Sequence, residues 1–172
     1  MSRHLRPLKA GDADRLAELV TRSRVFLAPW EPARPDSYFT VAGQRDAVAQ
    51  ALTSRANGLM EPFVILADDG QVAGRINLNN IVRGPFQSAS MGYWLDRQST
   101  GRGLATMAAG ELVDLAFGEF GLHRVEAGTL PDNRASQAVL LRNGFDQFGY
   151  APRYLAIAGV YSDHVLFQRL AD

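Results

Sequence analysis

The stretch Met91-Gly-Tyr-Trp-Leu-Asp-Arg-Gln-Ser-Thr-Gly-Arg-Gly-Leu-Ala-Thr106 has the residue types for binding an anion. It starts as a strand, crosses a loop carrying Gly101 and Gly103, and opens a helix. Such a junction gathers backbone N–H groups at the positive end of a helix dipole, which suits the pyrophosphate of a nucleotide-bearing cofactor. Arg102 could add a charge to phosphates, or be a solvated surface arginine. A dinucleotide-binding unit does not fit, because this is the fourth strand rather than the first and no third glycine follows. Downstream lie Glu126, Asn133 and Ser136, residue types that hold or move protons and hydrogen-bond a ligand. Asn133 equally suits a helix N-cap, and Ser136 a place in a first helical turn. Near the C-terminus Asp163-His164 could hold a cation and shuttle a proton, or simply end a strand.

Composition narrows the options. The 172-residue chain has no cysteine, which removes disulfides, zinc–thiolate sites and a cysteine nucleophile. Its three histidines, His4, His123 and His164, form no close pair, so no metal centre is expected. Eighteen basic residues balance eighteen acidic ones, which is not the charge footprint of a nucleic-acid binder. No apolar run is long enough for a membrane span and Met-Ser-Arg-His-Leu-Arg lacks a signal-peptide core, so a cytoplasmic protein is expected. The length suits a single domain over residues 1–172.

The elements that must position these residues follow from periodicity and turn chemistry. A short strand is expected over residues 3–8. A helix follows from Gly11-Asp12, with Asp12 as its N-cap and its end near Phe26–Leu27. Residues 28–38 carry three prolines with Trp30 and Tyr38, a rigid loop that either borders a pocket or plugs the core. Val41 to Arg55 reads as a helix stopped at Asn57-Gly58. Pro62 to Ala67, Gln71 to Val82 and Ser88 to Asp96 read as an antiparallel meander whose first turn is of the Asp-Gly type. Leu104 to Phe120 is a helix closed by Gly121, and His123 to Leu130 a strand. The crossover makes Met91–Leu95 parallel to Val125–Thr129. A helix from Asp132–Ser136 to Arg142 and strands at Phe145–Tyr150 and Val160–Leu170 complete an α+β chain.

Gly101-Arg-Gly-Leu-Ala-Thr106 after Gly92-Tyr-Trp-Leu-Asp96, then His123-Arg-Val-Glu126, Asn133-Arg-Ala-Ser136 and Asn143-Gly-Phe145, resemble the GNAT acetyltransferase family. Leu27-Ala-Pro-Trp-Glu-Pro32, Asn80-Ile-Val-Arg-Gly-Pro-Phe86 and Tyr154-Leu-Ala-Ile-Ala-Gly-Val-Tyr-Ser-Asp-His-Val165 are similar to its RimJ/RimL branch, which acetylates the N-termini of ribosomal proteins. The resemblance implies the GNAT fold: a mixed, mostly antiparallel sheet of about seven strands, a splayed parallel pair at strands four and five, and about four flanking helices. It implies acetyl-CoA as cofactor, and a homodimer is compatible with it.

Gln98-Ser-Thr-Gly101-Arg-Gly103 matches the family's Gln/Arg-x-x-Gly-x-Gly/Ala loop at every fixed position. The resemblance therefore gives the pyrophosphate to backbone N–H groups from Gln98 through Thr100, Gly101, Arg102, Gly103 and Leu104 to Ala105, with Thr106 beside them. It gives the pantetheine arm to Trp94 and Leu95, which would pair with it as with an added strand, and to Asn133. Ser136 becomes the candidate general acid or thiolate stabiliser near the sulfur. The family's base carboxylates fall on Gly128 and Leu155, and its tyrosine acid on Leu140, none of which can act. Glu126, on the same strand face as Gly128, is left as a candidate base. Trp30, Glu31, Tyr93, Tyr154, Asp163 and His164 are the candidate acceptor contacts.

An α-amine is roughly a seventh neutral at pH 7, a lysine side chain well under a thousandth, so a site lacking a strong base favours a protein N-terminus. Acetylation of a small-molecule amine and non-catalytic acyl-CoA binding are the competing readings.

Overall fold

A computed structural model describes residues 4–171; Arg3, the first residue of the expected opening strand, lies outside them. In chain order the elements are β1 (Leu5–Pro7), α1 (Ala13–Arg22), α2 (Arg24–Leu27), α3 (Val41–Ala56), β2 (Glu61–Leu66), β3 (Val72–Val82), β4 (Ser88–Leu95), α4 (Leu104–Gly118), β5 (Arg124–Thr129), α5 (Arg134–Arg142), β6 (Asp146–Ile157) and β7 (Val160–Leu170). The seven strands form one mixed sheet in the order β1-β2-β3-β4-β5-β7-β6, with β4 and β5 the parallel pair.

Each face of the sheet is covered by helices whose apolar spacing matches it. Leu16 and Leu19 of α1 and Val48 and Ala51 of α3 bury against Val64 and Val72 on one face. Leu104, Ala108, Leu112, Val113 and Ala116 of α4, with Leu140 of α5, bury against Ile76, Leu78, Met91 and Val125 on the other. Asn143 donates to the carbonyls of Thr106 (3.1 Å) and Val139 (2.9 Å), which fastens the end of α5 to α4.

Four details differ from the sequence expectation. Asp12 does not cap α1; its carboxylate accepts from the Lys9 N–H (2.8 Å) and from the Arg6 guanidinium (2.9 and 3.0 Å), closing a short turn ahead of the helix. The first helix does not run unbroken to Leu27, because Ser23 leaves helical geometry and splits it, so five α-helices occur among the described residues. The strand expected to stop at Tyr150 continues to Ile157. An irregularity follows Ala151, where the Arg153 N–H reaches the Asp163 carboxylate at 2.8 Å, and the ladder then resumes at Leu155.

The fourth difference matters most. Met91–Leu95 does not pair with Val125–Thr129. The parallel ladder is confined to Ser88–Ser90 against Arg124–Glu126. Beyond it β4 pairs only with β3, up to Gly74↔Leu95, while β5 continues alone with β7. The two strands therefore diverge, and one edge of β4 over Met91–Leu95 has no strand beside it.

Where β4 ends, Asp96 is fully buried and ties three segments together. Its carboxylate accepts from Arg22 Nε and Nη2 (both 2.7 Å), from Ser23 Oγ (2.8 Å) and from the Gln98 N–H (3.2 Å). Burial is the largest single influence and pushes its pKa up, but these donors together hold it below the usual aspartate range. A carboxyl depressed in this way stabilises the fold fully above the unfolded value, about pH 4, and the contribution fades as pH falls through the lower folded value. Asp96→Ala should thus cost about 3 kcal/mol at neutral pH, with a gap to wild type that narrows in acid. Urea titrations at pH 7 and pH 3 measure it, and a neutral-pH loss below about 1 kcal/mol would contradict the role given to Asp96.

Candidate active site

The divergence of β4 from β5 opens a cleft of about 1100 Å³ that reaches both faces of the sheet. On the α4 side it is bounded by the loop after β4 and by α5. On the opposite side it is bounded by the loop after α2 and by the β6–β7 pair. It is the product of the short parallel ladder: had the strands paired to Leu95, there would be no passage.

The glycine loop borders the cleft on the α4 side. Gly101 and Gly103 adopt φ of 77° and 76°, conformations that side-chain-bearing residues rarely take. Among the described residues, the N–H groups of Gly101, Arg102, Gly103, Leu104, Ala105 and Thr106 have no protein acceptor, and α4 has no side-chain cap. Six consecutive unpaired donors at a helix N-terminus fit a pyrophosphate.

The beginning of the expected loop behaves otherwise. The amides of Gln98, Ser99 and Thr100 are taken by Asp96 Oδ2, Asp96 O and Arg97 O, so the anion cradle starts at Gly101 rather than Gln98. Gln98 and Arg102 do not line the cleft; Arg102 borders a separate small depression beside Asp68 and Asp69.

Trp94, Leu95, Thr100, Asn133 and Ser136 all line the cleft as expected. Asn133 does two jobs. Its Oδ1 accepts the Ser136 N–H at 3.1 Å as the N-cap of α5, and its Nδ2 has no partner among the described residues and can donate to a ligand. The open edge of β4 and this amide fit a pantetheine arm laid along the strand. The Ser136 side chain interacts with the Tyr93 hydroxyl.

Tyr93 stands on the α4 side rather than with the acceptor residues. It lies opposite Ile76 and packs on the α4-side core, and its hydroxyl is 3.5 Å from the Ser136 carbonyl. Burial pushes its pKa up to about 12, so it remains an O–H donor at neutral pH.

The other end of the cleft is built from four elements. Trp30 and Glu31 come from the proline-rich loop, which is therefore a cleft wall rather than a plug. The Ala158 N–H donates to the Glu31 carbonyl at 2.9 Å and ties this loop to the β6–β7 turn. Burial raises the Glu31 pKa, opposed by the charge of Arg34. Tyr154 and His164 line the same end, their rings 5.5 Å apart.

His164 is buried beside Gly128. A Cβ on Gly128 would meet His164 Cδ2 at 3.4 Å, so the imidazole borders the space a side chain at 128 would use. His164 Nδ1 is 3.0 Å from the Ser162 carbonyl. A carbonyl only accepts, so Nδ1 is the donor here, and in the neutral ring Nε2 is the acceptor. Glu126 also lines the cleft, but it is half-buried and paired with Arg124 at 3.4 Å. Asp163 does not line the cleft. It falls on the other face of β7 from His164, and accepts from Tyr150 Oη (2.6 Å) and the Arg153 N–H.

Asn77 and Asn79 line the cleft too, and the sequence reading passed over them. The available signal was polar residues at alternate positions in an otherwise apolar strand, Val72–Val82. Among the described residues no cluster of three or more metal-ligating side chains occurs, and no helix is long and apolar enough to cross a membrane.

Comparisons with known proteins agree with this geometry. The chain is 36% identical over 162 residues to "Probable N-acetyltransferase YjcK" of Bacillus subtilis, covering 94% of this chain and 90% of that one. It is 33% identical over 156 residues to the "[Ribosomal protein uS5]-alanine N-acetyltransferase" of Escherichia coli, covering 90% and 80%. RimJ of Mycobacterium smegmatis, solved in complex with CoA-disulfide, superposes with a TM-score of 0.93 at 34% identity, covering 97% of this chain and 81% of that one. Residues 3–146 match the model of the acetyltransferase (GNAT) domain, and the chain belongs to the GNAT acetyltransferase family.

Proposed function

We propose that this enzyme transfers acetyl from acetyl-CoA to the α-amine of a protein N-terminus, by direct attack within a ternary complex. The observation that carries the reading is the passage between β4 and β5. It lets a donor held on the α4 side meet an acceptor entering from the opposite side. The ribosomal-protein name of the Escherichia coli relative supports a ribosomal protein as the physiological target.

Acetyl-CoA supplies an acyl group already activated as a thioester. The chain's residues do the rest. Gly101 to Thr106 hold the pyrophosphate through their amides, and the β4 edge with Asn133 Nδ2 aligns the pantetheine, which fixes the reacting carbonyl in place. Glu31 attracts the incoming ammonium. His164 Nε2 takes a proton from the amine, directly or through a water, and Nδ1–H on the Ser162 carbonyl keeps the ring oriented. Ser136 Oγ–H hydrogen-bonds the departing thiolate as the C–S bond breaks, with Tyr93 Oη–H as a second donor on the same side, and the proton released by the amine to His164 passes through water to the sulfur. Glu126, held by Arg124, shapes the cleft wall.

A peptide panel tests the acceptor. With acetyl-CoA, peptides bearing a free α-amine should release thiol at least a hundredfold faster than N-blocked lysine peptides at pH 7, a ratio set by the neutral amine fractions. Turnover confined to small amines would replace the reading with small-molecule acetylation. Tight acetyl-CoA binding with no turnover of any amine would reduce the protein to a binding module.

His164→Gln should lower kcat by about a hundredfold, and Ser136→Ala by about tenfold, with acetyl-CoA affinity preserved in both. Stopped-flow thiol detection and calorimetric binding separate these effects. A His164→Gln enzyme with wild-type kcat removes the base assignment.

Glu31 makes opposite demands on stability and rate. Because burial raises its folded pKa, the folded state binds the proton more tightly than the unfolded chain. Its ionisation therefore reduces stability as pH rises through that range. Glu31→Gln should accordingly raise the melting midpoint at pH 7 while lowering kcat/KM for peptides about tenfold. It should also abolish an acidic limb in the kcat/KM profile that lies above the ordinary glutamate range. An unchanged profile would sink the assignment.

A further inference from the structure

We propose that Asn77 and Asn79 read the backbone of the acceptor peptide beyond its first residue, so that the site selects an extended chain over a free amine. The inference rests on the proposed function and concerns how that same acceptor is held.

β3 is an interior strand, paired with β2 as far as Leu78 and with β4 through Asn79, so over most of its length side chains rather than backbone face a ligand. Its side chains at 75, 77 and 79 stand on the face opposite α4. Arg75 is opposite Trp94, Asn77 opposite Gly92 and Asn79 opposite Ser90. Asn77, Asn79, Gly92 and Ser90 all line the cleft.

Both asparagines have fixed amide orientations. Arg75 Nη2 is 3.2 Å from an Asn77 side-chain oxygen, and a guanidinium can only donate. Oδ1 of Asn77 must therefore face Arg75, which leaves Nδ2 as a donor with no partner among the described residues. Asn79 Nδ2 donates to the Ser90 carbonyl at 3.4 Å, which leaves Oδ1 as an acceptor with no partner among the described residues. A Cβ on Gly92 would meet Asn79 Nδ2 at 3.4 Å, so the glycine makes room for this amide.

Arg75 supports the reading from behind. It is 8% exposed, has no carboxylate partner among the described residues, and its Nε has no hydrogen-bond partner. A buried guanidinium kept at that cost, with Asn77 as its hydrogen-bond partner, makes sense as the group that sets which way Asn77 points.

A donor and an acceptor two residues apart on one strand face are roughly 6.8 Å from each other. Same-side backbone groups of an extended peptide repeat at that spacing. The Asn77 amide can therefore give a hydrogen bond to a peptide carbonyl while Asn79 Oδ1 takes one from a peptide N–H. A small amine offers neither group.

The test compares kcat/KM for an unmodified tripeptide amide with that for the matching single amino-acid amide. Asn77→Ala and Asn79→Ala should each lower this preference fivefold to tenfold, about one hydrogen bond. Tripeptides N-methylated at one peptide nitrogen at a time identify the bond. One such peptide should lose about fivefold against the native enzyme and nothing further against Asn79→Ala. Acetyl-CoA affinity and melting midpoint monitor the fold of each variant. An unchanged preference, an equal fall for both substrates, or additive losses with the N-methyl peptide would each overturn the inference and leave the proposed function standing. Failure of the native enzyme to acetylate any peptide would overturn both.

Discussion

The buried Asp96 carboxylate is the contact on which the site depends. It sits where β4 stops, and its donors come from the end of α1, the break before α2 and the first turn of the glycine loop. A buried charge is tolerated only when its acceptor sites are filled, so these segments are locked in mutual position by one electrostatic requirement. Two functional walls inherit that position. The loop runs on from Asp96 to the unpaired amides at Gly101–Thr106, and α2 leads directly into Trp30 and Glu31. The cofactor end and the acceptor end are thus referenced to the same carboxylate.

The second constraint is the short parallel ladder. Gln87, at φ 40°, turns its carbonyl to accept from both the His123 and Arg124 amides, which starts β5 beside β4. Three residue pairs later the strands part. Leaving strand-edge groups unpaired inside a protein is unfavourable unless something else bonds them. The fold accepts that cost at the place where a pantetheine would supply the missing partners, so ligand binding should complete the sheet as well as fill a cleft. The exposure of Gly128 on β5 keeps the far wall of the same passage low.

Element order and the glycine loop were legible from sequence because both are local: apolar period, Asp69-Gly70, Asn143-Gly144 and Gly101/Gly103 act within a few residues. What the sequence hid is set by partners distant in the chain. Alternation along β4 and β5 cannot choose a parallel register, so the ladder was placed too far along and the splay came only from family likeness. Asp96 read as the end of a strand because its donors Arg22 and Ser23 lie more than seventy residues away. The face of a strand separates Asp163 from His164, and only the β6–β7 register assigns them. Arg102 sits inside a motif whose work is done by amides, which makes the side chain free to point elsewhere.

Four polar residues of the cleft share a pattern that distinguishes them from ordinary buried polar residues. Each has one side satisfied by the protein and the other left open: Asn77 by Arg75, Asn79 by Ser90, Asn133 by Ser136, His164 by Ser162. A residue that only stabilised the fold would gain by satisfying both ends, since a half-used amide or imidazole in a partly dry cleft is poorly solvated. A residue that receives a ligand needs the opposite arrangement. One bond to the scaffold removes rotational freedom in advance, so the second bond forms with less loss of entropy when the substrate arrives. That division explains why apolar β3 carries polar side chains at alternate positions. It also explains why a protein with a surplus of arginines spends a buried one on a neutral asparagine.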